Sequence, residues 1–265
     1  MRWIYNKPLY IKPEVGHKPA FLDDAESISL GTSASHKRVI SALKENKPFA
    51  PGALDEYLGL FSSNLEKFRL SDIEGETDDA VIENIEQFLP YRNEAIQLFI
   101  TIAQYAPSDE NIAKVHRFFE ALIPYMGRPE HITKYGKWDF DNFKFIVHEL
   151  FLYAFAIFVK AERFDQANAL IAQQYYLAGN SEYGRDVMVS FTVFRQYAEC
   201  LERRNQRLEL NRLSLRADFL EQRSKTSGID FRYLMQADFI LFMRAEIDKE
   251  SPYDRWWPET LLYAG

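Results

Sequence analysis

The sequence predicts an all-α protein: antiparallel helix pairs in a multi-helix bundle or short solenoid, behind a small extended or β-like N-terminal arm. Three observations carry this. Gly and Pro are scarce, at 11 each in 265 residues, which favours long helices over turn-rich β architecture. From about Ser33 onward apolar residues recur at spacings of three and four. Pro90, Pro107 and Pro124 punctuate the chain between segments of helical length.

Residues 1–30 form the expected arm, because WIYNKPLYIKPE alternates aromatic and β-branched residues and Pro8, Pro13 and Pro19 forbid a continuous helix. Residues 31–265 read as a single helical domain, with a possible sub-division near 127–138. The first helix starts with Ser33 or Ser35 as its cap and stops before Pro48. The second follows Pro51-Gly52 and shows Leu54, Leu58, Phe61, Leu65 and Phe68 on one face. SDIEGETDDAVIENIEQF carries seven carboxylates and no Lys or Arg. Its Gly75 marks a loop, and Thr77 or Asp78 caps the helix that follows.

Helices are expected in YRNEAIQLFITIAQY, in SDENIAKVHRFFEALI and over 141–162. In the connection before the last, Asp139 and Asp141 are expected to cap it. The hairpin then continues into ANALIAQQYYLAG, ending at Gly179. Two more helices, 183–206 and 207–223, could form one, and a last helix lies in IDFRYLMQADFILFMRAEI. FVKAERFDQANALIAQQYY resembles one helix–turn–helix of a tetratricopeptide repeat (TPR), with Ala167 and Ala169 as the small residues after the turn. The resemblance implies antiparallel, TPR-like stacking of helices. No second copy follows at a period of about 34 residues.

Composition bounds the function. The net charge is −7 and the pI about 5.4, which argues against a generally basic nucleic-acid binder. The single cysteine, Cys200, suits a reducing, cytoplasmic setting. MRWIYNKPLYIKPE is too interrupted by polar residues and Pro for a signal peptide. Phe145–Val159 is apolar but contains His148 and Glu149, and reads as a buried core helix rather than a membrane span. Both termini end abruptly in apolar and aromatic residues, as in a piece of a longer polypeptide or in ends that dock on the body.

No metal or cofactor is expected. The five histidines are scattered, with no HExxH and no CxxC. LGTSASHKR lacks a phosphate-loop pattern, so His36, Lys37 and Arg38 are only a weak anion-binding candidate at a helix start. The helical ribonuclease family HEPN carries an Arg followed a few residues later by a His. Arg128 and His131, the nearest such pair here, are too close and lie in a Pro-containing loop. His148 and Glu149 are a polar pair inside an apolar helix, and an acid–base centre there is the one enzymatic alternative. Helical neighbours diverge by about 100°, so separate structural roles are favoured.

LERRNQRLELNRLSLRADFLEQR, Leu201 to Arg223, holds six arginines against four carboxylates. Projected as one helix, its basic residues split to two flanks and leucines fall on two faces. A phosphate-tracking helix needs one uninterrupted basic stripe. Packing between two layers, or against a partner, is therefore favoured over nucleic acid or another anionic ligand. The arginines would pair with neighbours such as the acidic 72–86 region. The interaction candidates are Arg203, Arg207, Arg212, Arg216, Leu210 and Leu213, joined by Trp256, Trp257 and Tyr263 near the C-terminal end. LMQADFILFMRAEI with WWPETLLY resembles helical regions that accompany effector domains in large bacterial defence proteins. The expected function is a non-catalytic helical module for protein interaction, self-association or regulation inside a larger intracellular protein.

Overall fold

The computed structural model describes residues 28–70, 77–128, 135–136, 138–180, 185–249 and 255–263. Among the described residues are ten α-helices and one two-stranded antiparallel sheet, so the protein is mostly helical. The expected arm apart from residues 28–30, the Gly75 loop and most of the 127–138 connection lie outside the described residues.

α1 (Ser33–Lys44) and α2 (Ala50–Asn64) pack on each other, and α1 also meets α4 (Leu89–Tyr105). The entry to α1 corrects the expected Ser33 or Ser35 cap. Thr32 occupies the cap position without a side-chain cap bond. Its hydroxyl and that of Ser33 donate instead to the Glu94 carboxylate, at 2.6 and 3.1 Å. A tertiary acceptor has displaced the local one. Pro51 and Pro90 sit in the first turns of α2 and α4, where the missing N–H costs no helical bond. α3 (Thr77–Gln87) carries Asp78 and Asp79 in its first turn, complementing the helix dipole. Ser108 caps α5 (Asp109–Leu122), accepting from the Asn111 N–H at 3.3 Å.

α6 (Asp141–Lys160) is the axis of the core: 17 of its 20 residues are buried, and α3, α4, α7 and α10 pack on it. By length and composition this one helix could cross a membrane, but here it is other helices that cover it. Asp139 and Asp141 do not cap it. Asp139 accepts from the Gly136 N–H at 2.7 Å. Asp141 accepts from the Cys200 N–H at 2.9 Å and from Lys144 at 2.8 Å, tying the start of α6 to the start of α8 (Glu199–Arg207). One continuous apolar cluster reaches from Leu30 to Trp256.

Three expected helices are corrected. α7 (Phe164–Ala172) stops well before Gly179, and the chain continues as β1 (Tyr175–Asn180), paired with β2 (Arg185–Val189). The reason is tertiary. Tyr175 is fully buried, stacked on His116 at 4.1 Å between ring centroids and set edge-on to Phe194 at 4.7 Å. The predicted 183–206 helix is replaced by β2, a 3-10 turn at Phe191–Phe194 and α8. Val187, Val189, Thr192 and Val193 are β-branched and favour that outcome. The predicted 207–223 helix begins only at Leu215, as α9 (Leu215–Ser224), after a break at 208–214. α10 (Phe231–Ile247) starts at Asp230, whose carboxylate accepts from the Arg232 N–H at 2.8 Å. A last 3-10 turn spans Glu259–Tyr263.

Candidate interaction surface

The arginines of α8 lie against the acidic start of α3. Arg207 reaches Asp78 and Asp79, each at 2.9 Å, and Arg204 pairs with Asp79. Arg203 lies over the Trp138 ring at 4.9 Å. The hydrogen bond from Arg207 to Asp78 leads the effects that raise its pKa. For Asp79, burial works upward, but Arg204 and Arg207 together outweigh it and lower the pKa.

The arginines of α9 go inward. Arg223 makes two 2.9 Å bonds to the two oxygens of Glu149 and a third, at 3.2 Å, to Glu86. Arg92, fully buried, reaches Glu149 at 3.4 Å and Tyr153 Oη at 3.1 Å, and holds the Arg223 carbonyl with both terminal nitrogens. Burial, then Glu149, pushes the Tyr153 hydroxyl up to about 12. Arg216 donates to the Gln196 carbonyl at 2.7 Å and to His148 Nδ1 at 3.1 Å. Burial and the nearby Arg195 bring Arg216 down to about 9. Because Arg216 can only donate, His148 Nδ1 accepts and its hydrogen sits on Nε2, which has no partner among the described residues.

His148 and Glu149 are therefore not one centre. His148 faces Arg216 and Trp256, while Glu149 faces Arg92 and Arg223. Both are sealed in the core. His36, Lys37 and Arg38 also diverge. His36 is buried with Nε2 on the Glu94 carbonyl at 3.0 Å, Lys37 points to solvent, and Arg38 pairs with Glu56 at 2.7 Å.

The segment 208–214 is where two groups of sequence candidates meet. Asn205 bridges it: its Nδ2 donates to the Arg212 carbonyl at 2.8 Å, and its Oδ1 accepts from the Arg212 N–H at 3.0 Å. Arg212 is in turn gripped by both oxygens of Asp218, at 2.5 and 2.8 Å. Glu209 and Asn211 are held at φ of 49° and 52°, a left-handed conformation costly for Glu. Ser214 then caps α9 by accepting from the Ala217 N–H at 3.1 Å. This stiff loop leaves Leu208, Leu210 and Leu213 exposed, Leu213 by 71%. Leu201, Leu215 and Leu220 go into the core, so the projected two-faced helix does not exist.

Beside the loop, the C-terminal turn is clasped from below. Asp238 accepts from Trp256 Nε1 at 2.6 Å and from the Thr260 N–H and hydroxyl at 3.1 and 2.6 Å. Burial still raises its pKa against these bonds. Arg195 donates to the Trp257 carbonyl at 3.0 Å and pairs with Glu259, which also accepts from Ser214. Tyr263 donates to Asp218. The adjacent tryptophans thus part company: Trp256 is 1% exposed and Trp257 is 65% exposed. A cleft of about 340 Å³ lies between loop and turn, with Tyr197, Leu213, Trp257 and Leu262 among its lining residues.

Sequence reasoning missed Tyr197, Leu262, the Asn205 bridge, Arg92 and the Asp238 clasp. For the loop a signal existed. Asn205, Asn211 and Ser214 all compete with helical backbone bonds, and their closeness marks a break. Arg92 and Asp238 had none, because their partners lie far away in sequence. Among the described residues, no three His, Cys, Asp or Glu side chains gather as metal ligands. No family model matches this sequence, and neither a curated protein nor a solved structure matches it significantly.

Proposed function

We propose that the protein is a non-catalytic helical interaction module of the cytoplasm whose binding surface is the 208–214 loop with the neighbouring Trp257 turn. One observation carries the reading. A loop braced by Asn205 and Asp218, with Glu209 strained, holds Leu213 in water beside Trp257, Leu262 and Tyr197. Strain maintained at an exposed site suggests use, and rigid aromatic and aliphatic groups around a concavity are what interfaces bury. In this reading α6 and α7 are one TPR-like antiparallel pair. Their turn at 161–163, and Ala167 buried just after it, support that arrangement. The reading is preferred to phosphate binding because Arg204, Arg207, Arg212 and Arg223 already hold carboxylates of this chain.

The test is a photo-crosslinking residue placed at Leu213 in the full chain in cells, together with solution mass. A discrete crosslinked species, a second copy or another protein, is expected, and Trp257→Ala should abolish it. Monomeric mass with only diffuse crosslinking, indifferent to Trp257→Ala, would overturn the proposal.

A further inference from the structure

The β1–β2 hairpin has one covered edge and one open edge. Its register sets Tyr176 opposite Met188, between the pairs Tyr175–Val189 and Leu177–Val187. In an antiparallel ladder, facing residues alternate between pairs that exchange both backbone bonds and pairs that exchange none. The Tyr176 N–H donates to Glu120 on α5 at 2.7 Å, so it points away from β2. Tyr176 and Met188 are therefore a non-bonded pair, and the N–H and C=O of Met188 point away from β1. Neither finds a partner among the described residues. The hairpin packs through β1, on α5 and the turn at Ile123–Met126, and β2 is left outermost. A cleft of about 480 Å³ adjoins β2, bounded by Val187, Val189, Phe191, Ile171 and, from α10, Ala245.

We propose that the β2 edge accepts an extended segment of another protein, which adds as a third strand at Met188 and sets an uncharged side chain in this cleft. Natural edge strands are usually blunted by Pro, inward charge or a bulge. Among the described residues the register shifts between Leu177 and Asn180, beyond the Leu177–Val187 pair that adjoins Met188, and Met188 itself is half exposed. A second copy of the chain fits poorly. So short an edge gives few bonds, whereas two folded bodies need on the order of 1,200 Å² of buried surface. A flexible segment can follow the edge and fill the cleft, with main-chain bonds supplying affinity and the cleft supplying selectivity. Arg244 and Asp248 neutralise each other on the α10 wall, which favours an uncharged side chain over a charged one. This site is separate from the leucine loop, so either can fail without the other.

The experiment is amide hydrogen exchange by NMR on the full chain, with a blocked heptapeptide of alternating Thr and Val as probe. The Met188 amide should exchange freely alone and slow at least tenfold with the peptide at saturation. The fully N-methylated peptide should bind at least tenfold more weakly. Met188→Pro removes the outward N–H and fixes φ near about −65°. It should abolish binding, while Met188→Ala should retain it, and continued protection of the Leu177 amide, which pairs across to Val187, reports an intact hairpin. The proposal is overturned if the Met188 amide is already protected without peptide, or if millimolar peptide leaves it unchanged. Slowing that survives N-methylation, or Met188→Pro with the hairpin intact, overturns it as well.

Discussion

Two arginine helices follow one another in this chain and end in opposite surroundings. α8 lays Arg203, Arg204 and Arg207 along the surface against Trp138, Asp78 and Asp79, while α9 drives Arg216 and Arg223 into the core. Both carry arginines, but α9 has Leu215, Ala217, Phe219 and Leu220 to bury where α8 has only Cys200 and Leu201, so α9 takes its arginines inward with its apolar residues. An exposed guanidinium keeps its water and needs a partner only loosely. A buried one loses its water and must be bound at nearly every nitrogen. Arg223 accordingly has Glu149, Glu86 and the Ile85 carbonyl, and Arg92 has Tyr153, Thr226 and the Arg223 carbonyl besides Glu149.

The comparison breaks most visibly at Glu149. Glu149→Gln leaves Arg92 and Arg223 in the core facing a neutral amide, and should cost about 3–5 kcal/mol, read from the urea midpoint. Arg207 is half-buried beside the buried Asp78, but Arg207→Ala leaves Arg204 near that carboxylate and should lower the midpoint by less than Glu149→Gln does. The part of its effect that comes from the exposed Asp79 should shrink in molar salt. Equal losses for the two variants would show that depth does not separate the two helices.

The inward helix also predicts a pH dependence near neutrality, whereas the outward one, through the lowered Asp79, predicts only a loss in acid below 3.8. Burial, reinforced by Arg216 and Arg195, holds His148 well below the ordinary imidazole range. The unfolded chain takes up a proton near pH 6.5 that the folded chain refuses. Stability from this group is therefore complete above pH 6.5 and falls on acidification, by about 1.4 kcal/mol per pH unit for one proton. His36 and His116, also lowered by burial, act in the same direction. Asp238, raised by burial, acts in the opposite one: its share is present below its ordinary value of 3.8 and lost as pH rises through its raised folded value. His148→Phe should flatten the slope between pH 7 and 5. An unchanged slope would mean that His148 is not the group being titrated.

These contrasts explain what the sequence could show. The core helix α6 was legible because its apolar residues cover its whole circumference, a property of the segment itself. The pairing of the arginine segment with acidic residues was legible from charge alone, and Asp78, Asp79 and Glu86 supply the partners. What stayed hidden depends on distant groups: Arg92 beneath Arg223, Asp238 beneath Trp256, and the His116 ring that draws Tyr175 out of a helical run into a strand. A helical projection of 201–223 assumes an unbroken axis, and the left-handed residues Glu209 and Asn211 remove it. For the candidate surface, Leu213 and Trp257 could be named beforehand, but their convergence on one cleft could not.

Between the two helices, the loop itself gives a smaller effect. Asn205→Ala removes both bonds to the Arg212 backbone while leaving the apolar contacts intact. It should cost about 1 kcal/mol and speed amide exchange at Arg212, whose N–H loses its acceptor. If the Arg212 amide stays protected, the loop is braced by Asp218 alone.

The smallest effect is the most informative about use. Leu213 is 71% exposed, so folding recovers little of its apolar surface, and Leu213→Asp should change stability by no more than about 0.5 kcal/mol. Leu201→Asp, at the other end of the same segment, puts a carboxylate in a site that is 4% exposed and should be severely destabilising. If Leu213→Asp proves nearly silent in denaturation yet abolishes crosslinking from a photo-reactive residue placed at Leu210 instead, its side chain serves something outside this fold. If it destabilises as Leu201→Asp does, the leucine packs on this chain, and the loop is part of the core rather than a surface held ready for a partner.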